Sequence, residues 1–219
     1  MHYLIISCSP QNKDKSTSAL LASMIKGGIT HNSDDTAEIL YINNKSIWQE
    51  CRNSFYKNRN IIFCIPLYVE GIPGLLMEFL ETLHRKELEG TKLSFVIQGG
   101  FEEACQLRTA EHFLQSLPPY LNCEYCGTLL KGGLFGMATM RSQKYREKMQ
   151  CKFIQIMKEY KKSNSFDNMI SKKFCGVEFY SQGMIILTKL AKPINRLVWN
   201  VMGKKLGADG RLNIRPYEV

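Results

Sequence analysis

The sequence predicts an α/β fold: a doubly wound, five-stranded parallel sheet with helices on both faces, followed by a mainly helical C-terminal extension. Three observations carry this. Short apolar runs alternate with helix-forming segments along the chain, as strands joined by crossover helices do. One run, residues 60–65 (NIIFCI), is apolar beyond its first residue and lacks the polar alternation of a half-exposed strand, as burial on both faces requires. A chain of 219 residues, 44% hydrophobic and 22% charged, has the size and composition of one such domain with a segment to spare.

Residues 3–7 form the first apolar strand. Residues 18–26 read as a helix with Leu20, Leu21, Met24 and Ile25 inward and Gly27-Gly28 as its stop. Residues 38–42 are the second strand and residues 60–65 the third. Pro73 opens the next helix as a first-turn proline, with Leu75, Leu76, Phe79, Leu80 and Leu83 on one face. Residues 93–98 (LSFVIQ) are the fourth strand. A helix follows over 102–117, placing Leu107, Ala110, Leu114 and Leu117 together, and Pro118-Pro119 ends it. Residues 121–130 hold a weaker fifth strand. A long helix then spans 140–162 with Tyr145, Met149, Phe153, Ile156 and Tyr160 inward. The pattern divides the chain into a sheet domain over 1–163 and an extension over 164–219.

The net charge of +9 suits an acidic partner, an anionic membrane surface or phosphorylated ligands. Nucleic-acid binding would rest on charge alone, which a solvated basic surface explains equally, so none is expected. Residues 1–7 lack a charged start and a long apolar stretch, so no secretory signal is expected. No apolar run is long enough for a membrane span. The eight cysteines read as reduced thiols of a cytoplasmic enzyme, with Cys8 and Cys64 as small hydrophobes at strand ends. Cys123 and Cys126 are the one close pair, either a redox pair or two strand residues. An iron–sulfur cluster needs four converging thiolates, and His2, His31, His84 and His112 show no ligand spacing, so no metal is expected.

In a parallel sheet the ligand sits beyond the carboxyl ends of the strands, where strand order reverses. Four segments fall there. The first, residues 8–18, leads into the first helix through Ser16, Thr17 and Ser18, with Ser9 at the strand exit. Unpaired N–H groups and partial positive charge at a helix start suit a phosphate; equally, one of the hydroxyls caps the helix. The segment holds no glycine and no Gly-Lys pair, so it is neither a P-loop nor a dinucleotide fingerprint. The second, residues 66–74 (PLYVEGIPG), brings Pro66, Leu67, Tyr68 and Gly71, either to bend around a flat ring or as an ordinary loop. The third, residues 98–104 (QGGFEEA), has Gly99 and Gly100, which admit close backbone approach to a ligand or make a tight turn, and Phe101 beside them. The fourth, residues 131–137 (KGGLFGM), repeats the glycine theme more loosely.

Taken together, SCSPQNKDKSTS, PLYVEGIPGLLMEFL and IQGGFE resemble the flavodoxin-like NAD(P)H-dependent FMN reductase family, which includes quinone and azo reductases. The resemblance covers about residues 1–160 and implies a flavodoxin-like fold. It implies that Ser9, Gln11, Ser16, Thr17 and Ser18 hold an FMN phosphate, with Gln11 where the family usually has arginine. It implies that Pro66, Leu67, Tyr68 and Gly71, in the family's Pro-x-Tyr-x-x-Gly-x-Pro pattern, flank the isoalloxazine, and that Gly99, Gly100 and Phe101 border its edge. The implied activity is NAD(P)H oxidoreduction through FMN to a quinone, flavin or other small oxidised acceptor, with no protein acid or base required, and the implied assembly is a homodimer. A flavodoxin-type electron carrier is the rival reading, against which stand the pI of about 9.1 and the long extension. A flavin-free interaction module is another.

The extension mixes Ile185, Ile186, Leu190, Ile194, Leu197, Val198 and Val201 with Lys189, Lys192, Arg196, Lys204 and Lys205, and Pro193 starts or kinks a helix there. The sequence favours a helix that packs on its own domain or on a second subunit over one lying on an anionic membrane.

Overall fold

Five strands form one all-parallel sheet in the computed structural model, which describes residues 1–68, 71–87, 89–205 and 207. They are β1 (His2–Ser7), β2 (Thr36–Tyr41), β3 (Asn60–Pro66), β4 (Lys92–Gln98) and β5 (Glu124–Lys131), in spatial order β2-β1-β3-β4-β5. The helices of the sheet region are α1 (Thr17–Thr30), α2 (Trp48–Lys57), α3 (Gly74–Glu81), α4 (Cys105–Gln115), α5 (Leu117–Tyr120), α6 (Gln143–Ser163) and α7 (Met169–Cys175). The chain divides into two units, Met1–Glu178 and Phe179–Val219.

The first unit has two cores, one on each sheet face, because side chains along a strand alternate between faces. Leu4, Ile6, Ile61, Phe63, Ile65, Phe95 and Ile97 pack with Phe55 of α2, Phe79 of α3 and Leu107 of α4. Tyr3, Ile5, Ile62, Cys64 and Val96 pack on the other side with Leu21 and Ile25 of α1 and Phe153 and Tyr160 of α6. The uninterrupted apolar run of β3 is thereby explained: its two sets of side chains enter two different cores.

Four local readings need correction. Gly27-Gly28 does not stop α1, which continues to Thr30. The pair makes room for α6: a Cβ on Gly28 would come within 2.8 Å of the Phe153 carbonyl and of Met157 Cγ, and one on Gly27 within 2.9 Å of Gln150 Nε2. The carbonyl of Ile29 at the end of α1 is met by Lys161 Nζ at 2.9 Å. Pro73 is the residue before α3, in extended backbone, and its carbonyl accepts from Leu76 and Met77. Pro118-Pro119 does not end a helix reaching Leu117; α4 ends at Gln115 and the prolines sit in the first turn of α5, where a missing N–H costs nothing. The fourth is α2, for which the sequence reading had no helix: Trp48, Cys51 and Phe55 are its buried face, and Trp48 Nε1 donates to the Ile42 carbonyl at 2.8 Å.

The weakness of the fifth strand also has a cause. The β4–β5 register shifts between Leu93 and Phe95, and Gly127, at φ +83°, lies in the shifted part. A Cβ there would meet the backbone nitrogens of Asp167 and Phe166 at 2.9 and 3.0 Å.

The second unit contains α8 (Gln182–Leu190) and α9 (Lys192–Lys205). Ser181 caps α8 by accepting from Met184 N, and Pro193 falls in the first turn of α9, one of the two places the sequence allowed it. Ala191 joins the helices: its N–H bonds to the Leu187 carbonyl, and its own carbonyl accepts from Asn195 N.

Candidate functional site

The loops singled out in the sequence leave from one edge of the sheet. The ladder extends just past the strands there: Cys8 N donates to the Cys64 carbonyl (2.9 Å), Leu67 N to Gln98 (2.8 Å) and Gly99 N to Lys131 (3.1 Å). β1, β3 and β4 are neighbours in the sheet, so the loops after them stand side by side. The chain winds from β1 to one side, to β2, and from β3 to the other. The order therefore reverses between β1 and β3, where a doubly wound sheet opens a crevice.

The first loop delivers hydroxyls to the start of α1. Ser16 is the N-cap; its Oγ accepts from Ala19 N at 3.2 Å while its backbone stays extended. Ser9 is buried and accepts from Gln11 N at 3.1 Å. Both hydroxyls therefore keep their hydrogen free to donate to another acceptor. Thr17 is half-buried, and Gln11 is exposed. Ser18 differs: its Oγ is buried and has no hydrogen-bond partner. A buried hydroxyl without a partner costs about 1–3 kcal/mol, so such a group in the first turn of a 14-residue helix calls for an acceptor. The site thus fits an anion. It satisfies only part of the helix start from within, and the first N–H groups of α1 have no intrahelical acceptor by position.

The second loop is a tight bend closed by two backbone hydrogen bonds, Tyr68 N to the Gly71 carbonyl and Gly71 N to the Tyr68 carbonyl. Pro66 is buried as the last residue of β3, Leu67 packs against the core, and the Tyr68 ring is 44% exposed. Residues 69 and 70 lie outside the described residues.

The third and fourth loops hold each other. Gly99 N and its carbonyl are both engaged, with Lys131 and with Leu134 N, and Gly133 N donates to the Phe101 carbonyl at 2.7 Å. Glycine is required at 132, where a Cβ would overlap the Phe101 carbonyl and come within 2.7 Å of the Glu102 carbonyl. It is required at 99 because a Cβ would meet Leu107 Cδ2 at 2.8 Å. Gly100 is exposed and free of such crowding, and the Phe101 ring is 71% exposed.

Cys8 and Cys64, at the carboxyl ends of β1 and β3, are held in the thiol form at neutral pH. Burial, with Cys64 beside it, raises the Cys8 thiol well above its ordinary range, and burial raises Cys64 likewise. All eight cysteines are free thiols, and among the described residues no three His, Cys, Asp or Glu side chains converge as a metal site. Sequence reading missed a depression of about 360 Å³ beside the first loop, lined by Lys13, Asp14, Leu20, Ser23, Tyr41 and Arg146 among others. Arg146 belongs to α6, and nothing in its local pattern announces that its helix returns to the start of α1.

No known protein family matches the chain, and no curated protein matches it in sequence. Solved structures do match. An NADH:FMN oxidoreductase is 15% identical, with a TM-score of 0.56 over 84% of this chain and 98% of its own. An NAD(P)H:quinone oxidoreductase from Methanothermobacter marburgensis is 12% identical, with a TM-score of 0.57 over 74% of this chain and 97% of its own. An FMN-dependent NADH-azoreductase from Bacillus anthracis, solved with FMN, is 13% identical, with a TM-score of 0.51 over 73% of this chain and 99% of its own. The chain has the flavodoxin-like fold. Its strand order agrees with that conclusion, and at these identities the likeness speaks for architecture.

Proposed function

We propose that the chain is an FMN-dependent NAD(P)H oxidoreductase acting on a small oxidised acceptor such as a quinone or a flavin. The observation that carries this is the start of α1 at the switch point of a flavodoxin-like sheet, where the Ser18 hydroxyl, two residues after the Ser16 cap, is buried without a partner. The solved neighbours, among them an NADH:FMN oxidoreductase, a quinone oxidoreductase and an FMN-dependent azoreductase, support the same class.

In this reading Ser9, Ser16, Thr17, Ser18 and the amino end of α1 hold the phosphate of FMN, with Gln11 at the rim. Pro66, Leu67, Tyr68 and Gly71 form one wall for the ring, and Gly100 and Phe101 the facing edge. Gly99 acts one step back, fixing that edge through its bonds to the fourth loop. When bound, FMN supplies the two-electron chemistry between a nicotinamide and the acceptor. The chain itself needs no general acid or base; it orients both partners against Tyr68 and Phe101, whose exposed rings can stack. Of the N–H groups at the ring edge, that of Gly99 is already bonded to Lys131, so those of Gly100 and Phe101 are the donors assigned to negative charge there. A homodimer that completes the pocket belongs to the same proposal.

The test is spectroscopic and kinetic. The purified chain should take up FMN with quenching of flavin fluorescence and should then oxidise NADH or NADPH with a quinone acceptor. Uptake without turnover would indicate an electron carrier, and no uptake would reject the proposal.

A further inference from the structure

The second unit places large apolar side chains in water on both of its helices. On α9, Ile194, Leu197, Val198 and Val201 stand at the i, i+3, i+4, i+7 spacing of one helical face, and they are 66%, 65%, 49% and 50% exposed. On α8, Ile186, Leu187 and Leu190 are exposed to a similar degree. The charge of this segment is one-sided. By sequence, residues 179–219 hold seven Lys and Arg (Lys189, Lys192, Arg196, Lys204, Lys205, Arg211 and Arg215) against two acids, Asp209 and Glu218. Lys192 and Asn200 lie with Arg196 on the face away from the apolar stripe, and Lys204 falls beside Leu197 at the stripe's edge. An apolar stripe with cations at its edge and on the face behind it matches the layers of a lipid interface, acyl chains and acidic headgroups.

We infer that α8 and α9 lie flat on an anionic lipid surface, the stripe entering the acyl boundary and the cations meeting acidic headgroups. No helix among the described residues is long and apolar enough to cross a membrane, so the contact is with the surface. A second copy of the chain fits less well. A two-fold contact sets the same patch against itself, and a unit with seven cationic side chains and two acidic ones sets excess like charge across that axis. The inference concerns the second unit alone and stands whether or not the first binds flavin.

The test is flotation of the full chain with phosphatidylcholine vesicles, with and without phosphatidylglycerol. Binding should favour the phosphatidylglycerol vesicles by at least about tenfold and weaken with added salt. The double variant Leu197→Glu/Val201→Glu should lose binding to the vesicles. Lys192→Glu/Lys204→Glu should lose the preference for anionic vesicles with an unchanged thermal melt. Equal or absent binding to the two vesicle types overturns the inference, as does binding indifferent to Leu197→Glu/Val201→Glu. So does a lipid-free dimer, seen in sedimentation, that this variant dissociates.

Discussion

The two ends of α1 solve opposite problems. At its carboxyl end the helix is held by protein alone: Gly28 brings it against the α6 backbone, Gln150 Nε2 donates to the Met24 carbonyl, and Lys161 meets the carbonyl of Ile29. At its amino end the protein supplies donors and leaves them underused, with Ser16 capping one N–H and the Ser18 hydroxyl unpartnered in a buried place. One end is finished within the protein; the other keeps a buried hydroxyl without a partner, and the proposed phosphate site is there.

Substitutions at the two ends should therefore separate stability from binding. Phe153→Ala, on the α6 face against α1, should cost about 3–5 kcal/mol in urea unfolding, because a large cavity opens in a fully buried core. A loss below about 1 kcal/mol would mean that this face is not packed as described. Gly28→Val should cost about 1–3 kcal/mol, since its added carbons meet the Phe153 carbonyl, which cannot rotate away. Neither change should alter flavin affinity under conditions where the variant is folded.

At the other end, Ser16→Ala should lower stability by about 1 kcal/mol through the lost cap and should also weaken FMN binding. Ser18→Ala should leave the urea midpoint unchanged or slightly raised, because it removes a polar atom with no partner, yet weaken FMN binding by about tenfold. A clear loss of stability in Ser18→Ala would show that its hydroxyl already serves the fold and would erase the contrast.

A pH profile probes the floor beneath that amino end. Cys8 and Cys64 keep their protons in the folded chain, whereas unfolded thiols ionise near their ordinary value of 9.0. Above that pH the folded state binds more protons than the unfolded one, so stability should fall as pH rises beyond about 9. Cys8→Ala/Cys64→Ala should flatten this alkaline decline. An unchanged decline would assign it to other groups, such as Tyr3, whose hydroxyl burial pushes up to about 12.

The same contrast explains what the sequence disclosed. Apolar periodicity exposed all five strands and most helices, because α1, α3, α4 and α6 each present a full inward face. It passed over α2, whose inward face is only Trp48, Cys51 and Phe55 among polar neighbours. The glycines were legible as special positions but not in their purpose. Gly28, Gly127 and Gly132 each answer to a backbone from far along the chain, and a local pattern cannot name that partner. The hydroxyl cluster of the first loop was readable as a helix start, but whether a cap exhausted it needed the hydrogen-bond inventory. Ser16 and Ser9 each accept one backbone N–H and keep a hydrogen to donate, and Ser18 is unpartnered. Tyr68 and Phe101 stand exposed on the loops where the pattern put them.

The most direct measurement compares FMN with riboflavin by isothermal titration of the full chain. The two ligands share the ring system and differ by the phosphate. If the amino end of α1 holds that phosphate, FMN should bind more tightly by at least about a hundredfold, the worth of one or two charge-assisted hydrogen bonds. Equal affinities, or no heat with either ligand, would contradict the account.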